Sequence, residues 1–191
     1  MTDTVVEPRI ARTREVVFAA AIDIVAERGF AGATIDAIAR RAGVARSTIY
    51  RNWPNRFDLL LEATATEIGG IEAIPVGALR PDLVALVRHL AEVLASDRLG
   101  SVAAALIVES RRDAELDALR ERFLEHRRQA VGKVMRTAIE RGEVRADTDV
   151  LAAVDELSAA VFYRVMILRS TTDEAWAERL VDRWIESHGV D

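Results

Sequence analysis

The hexapeptide Arg46-Ser-Thr-Ile-Tyr-Arg51 concentrates hydrogen-bonding chemistry on one side of a single short helix. An arginine offers a planar fork of donors that matches guanine O6 and N7, worth ~1–3 kcal/mol of discrimination against a wrong base. Arg46, Ser47 and Arg51 are therefore the expected base-edge readers. Thr34, Arg40, Tyr50 and Arg56 are expected phosphate anchors, Thr34 and Arg56 because helix starts favour anions. Thr48 is counted among the DNA contacts, although Thr48 and Trp53 fall on an inward face and equally serve to hold the short helix in place. Arg41 equally reads as a solvated side chain.

Such chemistry needs a rigid mount, and residues 34–56 supply one. Thr34 can cap a first helix through its hydroxyl, and Ile35, Ile38, Ala39 and Ala42 follow at helical spacing on one face. Gly43 supplies the left-handed backbone that ends a helix and turns the chain. Val44 re-enters the core, Thr48, Ile49 and Trp53 continue the inward face, and the second helix stops before Pro54. The small Ala39 lets the two helices cross closely. This is a helix-turn-helix, whose second helix is shaped to enter the major groove.

Charge agrees once it is read locally. The whole chain is acidic, with a net charge of −5 and a pI near 5.4, which by itself argues against nucleic acid. Residues 34–56 hold five arginines against the single acid Asp36, a net of +4, while residues 61–191 hold 17 basic and 24 acidic side chains. A basic patch on an acidic body still attracts phosphates, because exposed charges beyond a Debye length of ~8–10 Å are largely screened.

With its flanks the segment resembles the N-terminal domain of TetR-family transcriptional regulators. The residues that carry the resemblance are Thr13-Arg14, the apolar run Ala20 to Val25, Gly29-Phe30, Thr34-Ile35, Ile38-Ala39, Ala42-Gly43-Val44, Ser47-Thr48-Ile49-Tyr50 and Trp53, within about residues 12–60. Three positions depart from the family pattern. Ala45 stands where Ser or Thr often caps the recognition helix, so Ser47 or the turn backbone must compensate. Trp53 replaces the usual Phe and Arg56 the usual Lys, with neither bulk nor charge lost. The resemblance implies a sequence-specific, ligand-responsive DNA-binding regulator, a repressor in most cases, working in the cytoplasm as a homodimer on a palindromic operator.

Composition sets the outer bounds. At 191 residues with 50% hydrophobic content, the chain can hold a small domain and a larger one. With no cysteine there is no disulfide, thiolate zinc site or cysteine nucleophile. No uninterrupted apolar run is long enough for a membrane span, and Met1 to Pro8 show no secretory pattern. No cofactor and no metal are expected.

Helical periodicity covers almost the whole chain, and the fold expected is all-α, with about nine helices. The first runs from about Arg9 to Arg28, burying Ile10, Val17, Ala21, Ile24 and Val25, and ends at Gly29. Asn55 caps a fourth, with Asp58 placed as in a capping box; Leu59, Leu60, Ala63 and Ile68 follow before Gly69-Gly70. Gly69 to Pro81 is the only linker-like stretch. Five more helices are expected: from Pro81 or Asp82 to Ala95, from Gly100 to Ser110, from Ala114 to Arg141 with Gly142 as its stop, from Asp147 or Thr148, and from Thr171 or Thr172. The division expected is a helix-turn-helix DNA-binding domain at 9–54 and an effector-binding and dimerisation domain at 55–189.

Two features of the larger part bear on partners. From Val150 to Leu168 apolar residues surround the helix, so it needs cover on more than one side, from its own core and from a second copy. Trp176, Leu180 and Trp184, four apart, give the last helix an aromatic seam, and two such helices from each chain make a four-helix dimer interface; burial inside one monomer is the alternative. The candidate contacts for a predominantly apolar effector are polar residues embedded in apolar stretches: His89, Glu109, Asp155 and Tyr163, with Phe162 on the face of Asp155, and also His126. An acid such as Asp155 equally pairs with an arginine from a neighbouring helix.

Other function classes fit less well. The histidines at 89, 126 and 188 lack metal-ligand spacing, and neither a phosphate loop nor a nucleophile motif occurs, so an enzyme is not expected. A helical structural or partner-binding protein explains the bundle but not the basic, glycine-turned segment.

Overall fold

The computed structural model describes residues 8–68 and 77–190, with side chains from residue 11 on and that of residue 130 excepted. The helices are α1 (Pro8–Gly32), α2 (Ile35–Ala42), α3 (Arg46–Asn52), α4 (Arg56–Ile68), α5 (Leu79–Ala95), α6 (Asp97–Glu109), α7 (Ala114–Glu140), α8 (Val150–Phe162) and α9 (Glu174–His188), with a π-turn at Tyr163–Ile167 closing α8. Among the described residues the only β pairing is an isolated bridge between Val144 and Gly189, so the all-α expectation holds.

Helix ends follow local chemistry. Thr34 Oγ1 accepts from the Ala37 N–H at 3.2 Å, and Gly43 turns the chain with φ 67° and ψ 30°. Asn55 Oδ1 accepts from the Asp58 N–H at 2.9 Å while its amide donates to Asp58 Oδ2 at 2.8 Å. Gly142, at φ 73°, stops α7 where expected.

Some expected ends moved. α1 breaks at Gly29 but resumes to Gly32, and α6 begins at Asp97 rather than Gly100. The caps of α8 and α9 are Asp149 and Asp173, not Asp147 or Thr148 and Thr171 or Thr172: Asp149 accepts from Leu151 and Ala152, and Asp173 from Trp176. A carboxylate caps at least as well as a threonine hydroxyl and adds a favourable charge at the helix N-terminus. The burial of Ile10, the Gly69-Gly70 stop and most of the Gly69 to Pro81 linker lie outside the described residues.

The chain divides into two compact units, one of Met1–Gly69 with Ser101–Glu121 and one of Gly70–Gly100 with Arg122–Asp191. The boundary expected at 54/55 falls inside the first unit, because α4 packs along α1 and buries Leu59, Leu60, Ala63 and Ile68. That unit's fully buried side chains include Val17, Ile24, Phe30, Ile38, Ile49 and Trp53. Each buried aliphatic or aromatic side chain contributes about 1.5–3 kcal/mol.

In the second unit α5 packs on α8, α9 and the π-turn. Arg80 clasps Asp182 through Nε at 2.7 Å and Nη2 at 3.0 Å, and Arg88 reaches Glu174 at 2.9 Å, joining α5 to α9. Ala153, Val154, Leu157 and Val161 face inward along α8. Its other side is uncovered: Leu151, Tyr163, Ile167 and Leu168 are 54%, 56%, 62% and 51% exposed. Tyr163 and Ile167 continue the exposed face of Leu151, Asp155 and Ala159 at spacings of four, and the π-turn is closed by Leu168 N–H to Tyr163 O at 3.0 Å. The seam expected on α9 divides. Trp184 is buried at 6% exposure and donates to Glu156 Oε2 at 3.2 Å, because the inward stripe is Ala177, Val181 and Trp184. Trp176 and Leu180 are half-buried, and the Arg164 guanidinium lies 5.1 Å from the Trp176 ring.

Candidate nucleic-acid interface

α3 is too short to hold a conformation by its own hydrogen bonds, and its inward residues fix it. Ile49 is fully buried, and Trp53, at the helix C-cap, is 2% exposed. Trp53 packs against Phe18 at 5.3 Å between ring centres and donates to Glu62 Oε2 at 2.5 Å. Arg14 pairs with Glu62 and lies over both rings, 5.5 Å from Phe18 and 5.7 Å from Trp53. Trp53 is therefore an anchor that ties α3 to α1 and α4.

The opposite side of α3 carries Arg46, Ser47, Tyr50 and Arg51, all exposed. Ala45, at the N-cap, makes no side-chain capping bond; of the turn's backbone bonds, Thr48 N–H to Ala45 O at 2.9 Å serves the start of α3, while Val44 N–H to Ala39 O at 3.0 Å closes the end of α2. Arg46 Nε stands 2.8 Å from Asp36 Oδ1 on α2, a partner across the turn that no local spacing reveals. Arg51 Nη2 donates to Thr48 Oγ1 at 3.3 Å, so the half-buried Thr48 steers an exposed arginine.

The anchor candidates separate. Thr34 and Arg40 are exposed beside α2 and at its last turn. Arg41 is engaged with Glu27 at 2.7 Å, and that hydrogen bond holds the Glu27 carboxyl below its usual range. Arg56 is half-buried: Nη1 donates to the Phe30 carbonyl at 3.0 Å and Nη2 lies 3.7 Å from Glu115. Its guanidinium already serves the fold, a role hidden in sequence by separations of 26 and 59 residues.

The effector candidates are divided between the two units. Glu109 lies in the first unit, where both carboxylate oxygens accept from the Phe30 N–H and cap the Gly29-Phe30 turn. Asp155 is held by Arg128, with Nη2 to Oδ2 at 2.9 Å. His89 lines an open groove of about 440 Å³ between α5 and α9, whose arginines Arg80 and Arg88 are already paired with acids. Phe162 is half-buried, while Tyr163 and His126 are exposed. Among the described residues no His, Asp or Glu group is arranged to hold a metal, and no helix is long and apolar enough to cross a membrane.

Two families match successive stretches of the chain. Residues 17–63 match the family described as bacterial regulatory proteins, tetR family, and residues 74–184 match the tetracyclin repressor-like C-terminal domain. The chain is 30% identical over 176 residues to the uncharacterized HTH-type transcriptional regulator YdeS of Bacillus subtilis, covering 91% of this chain and 88% of that protein. It is 28% identical over 170 residues to the DNA-binding transcriptional repressor TetR of Mycobacteroides abscessus, covering 86% and 87%. The crystal structure of the TetR family transcription regulator SCO0332 superposes with a TM-score of 0.72 at 29% identity, over 92% of this chain and 97% of that one.

Proposed function

The chain belongs to the TetR family of DNA-binding transcriptional regulators, and from that premise we propose that it works as a cytoplasmic homodimeric repressor released from a palindromic operator by a small-molecule effector. The observation that carries this reading is α3 itself, fixed by Ile49 and Trp53 while it presents Arg46, Ser47, Tyr50 and Arg51 to solvent. Arg46 and Arg51, with Ser47, read base edges. Thr34, Arg40 and Tyr50 hold phosphates. Thr48 acts through Arg51, and Arg56 through the Phe30 turn. Residues 9–54 carry the DNA contacts, and 55–189 carry effector and partner.

A second copy covers the exposed Leu151, Tyr163, Ile167 and Leu168, setting two copies of α3 at successive major grooves. The effector is predominantly apolar and acts by binding the DNA-free arrangement more tightly, since equal affinity for both states shifts nothing. No catalytic step takes part.

Reciprocity gives the test. Labelled operator is displaced with a compound library, and a hit's affinity is then measured with and without saturating operator. Operator is expected to weaken the hit by the factor by which the hit weakens operator. A hit whose affinity ignores operator contradicts release by that compound.

A further inference from the structure

α7 withdraws a stripe of side chains from solvent at spacings of three and four. Phe123 is half-buried, and Val131, Val134 and Ala138 are 8%, 3% and 0% exposed. Arg127 stands on that stripe, midway between Phe123 and Val131, and is itself half-buried. A guanidinium taken out of water must recover its solvation from an acceptor or a counter-charge.

Among the described residues, the other arginines that are not exposed have such a partner. Arg14 pairs with Glu62, Arg56 with Glu115, Arg120 with Asp117 and Arg128 with Asp155; Arg164 donates to the Thr171 carbonyl, and Arg98 is engaged as well. No acid or acceptor among the described residues answers Arg127, and burial alone acts on it, pushing its pKa down to about 10. It remains a cation at neutral pH. Its neighbour Arg128 supplies the contrast, spending the same fork on Asp155 and so tying α7 to α8.

We propose that Arg127 is a binding residue of the second unit for an organic anion, its fork receiving a carboxylate, sulfonate or phosphate while the half-buried Phe123, one turn away on the same stripe, meets the body of the molecule. This rests on the effector-binding reading above and gives that effector a chemical class: amphiphilic, with one anionic head. The planar donor fork suits such heads better than a lysine ammonium does.

The test uses two fluorescent probes of one skeleton, 8-anilinonaphthalene-1-sulfonate and its uncharged counterpart N-phenyl-1-naphthylamine, titrated into the full-length protein and its Arg127→Met and Arg127→Lys variants. The wild type is expected to bind both probes. Arg127→Met should weaken the sulfonate at least tenfold and leave the neutral probe within twofold, with Arg127→Lys between. Without ligand, Arg127→Met should melt at or above the wild-type temperature, since an uncompensated charge has been removed. Equal weakening of both probes, or no weakening of the sulfonate, overturns the anion site while binding of the neutral probe leaves the effector reading in place. Failure of the wild type to bind either probe overturns the anion site and removes support for an effector cavity as well. An Arg127→Met protein that loses a dimer the wild type forms assigns the counter-charge to a second copy and also overturns the proposal.

Discussion

Glu109 holds the Phe30 backbone N–H between its two carboxylate oxygens, at 3.3 and 3.2 Å, from 79 residues further along the chain. Gly29, just before, turns at φ 70°, and a β-carbon there would collide with Glu109 Oε1. Glu109→Ala should cost about 1–3 kcal/mol, because it strands a backbone donor at a buried residue. Gly29→Ala should also destabilise, and the double variant should lose less than the two singles together, since the collision goes while the backbone strain stays. Urea unfolding of the four proteins checks this; strictly additive losses would deny the contact.

The Phe30 carbonyl is served by Arg56. Arg56→Ala is therefore expected to lower stability by about 1 kcal/mol and to weaken all DNA sequences alike. Paired unfolding and binding titrations separate the effects: a change in base preference without a loss of stability would move Arg56 into the group of base readers.

Assembly should separate two apolar residues of the last helices. The unmodified chain should be a dimer at micromolar concentration. Ile167→Asp should yield a folded monomer, because Ile167 is 62% exposed in one chain and a charge there is costly only under a partner. Trp184→Asp should unfold the protein, because Trp184 is buried within it. Sedimentation and circular dichroism read both; a monomeric wild type contradicts the interface.

Contacts within a few residues were legible in the sequence, and so was the pairing of Asp155 with an arginine of a neighbouring helix, met by Arg128, but other contacts across the fold were not. Thr34, Gly43 and Asn55 announce their caps by residue type and local spacing, and Ile38, Ile49 and Trp53 announce burial by periodicity. The helix-turn-helix is made of such signals. Arg46 with Asp36, Arg56 with Phe30 and Glu109 with Phe30 join distant positions through side chains that look like any solvated charge on a helix surface. The same blindness left Arg127, one of 25 arginines, unremarked.

Stability should fall in acid through Glu143. Arg141 donates to it at 2.5 Å and the Leu79 N–H at 3.0 Å, and the Arg141 hydrogen bond leads in holding its carboxyl below 4.5. A depressed carboxylate contributes stability above its unfolded pKa and loses it as pH falls through the folded one. The melting temperature should therefore drop below pH 4.5 in the wild type and drop less in Glu143→Gln. Parallel curves would show that the contact at the start of α5 contributes nothing.

Selection of bound sequences from random duplex DNA tests the central claim, that α3 reads base pairs through Arg46 and Arg51. The wild type should enrich a two-fold symmetric motif, with half-sites about one helical turn apart or a multiple of it. Arg46→Ala and Arg51→Ala should each relax the motif at particular base pairs. Enrichment of no motif by the wild type, or uniform weakening by both variants with the motif unchanged, would contradict it.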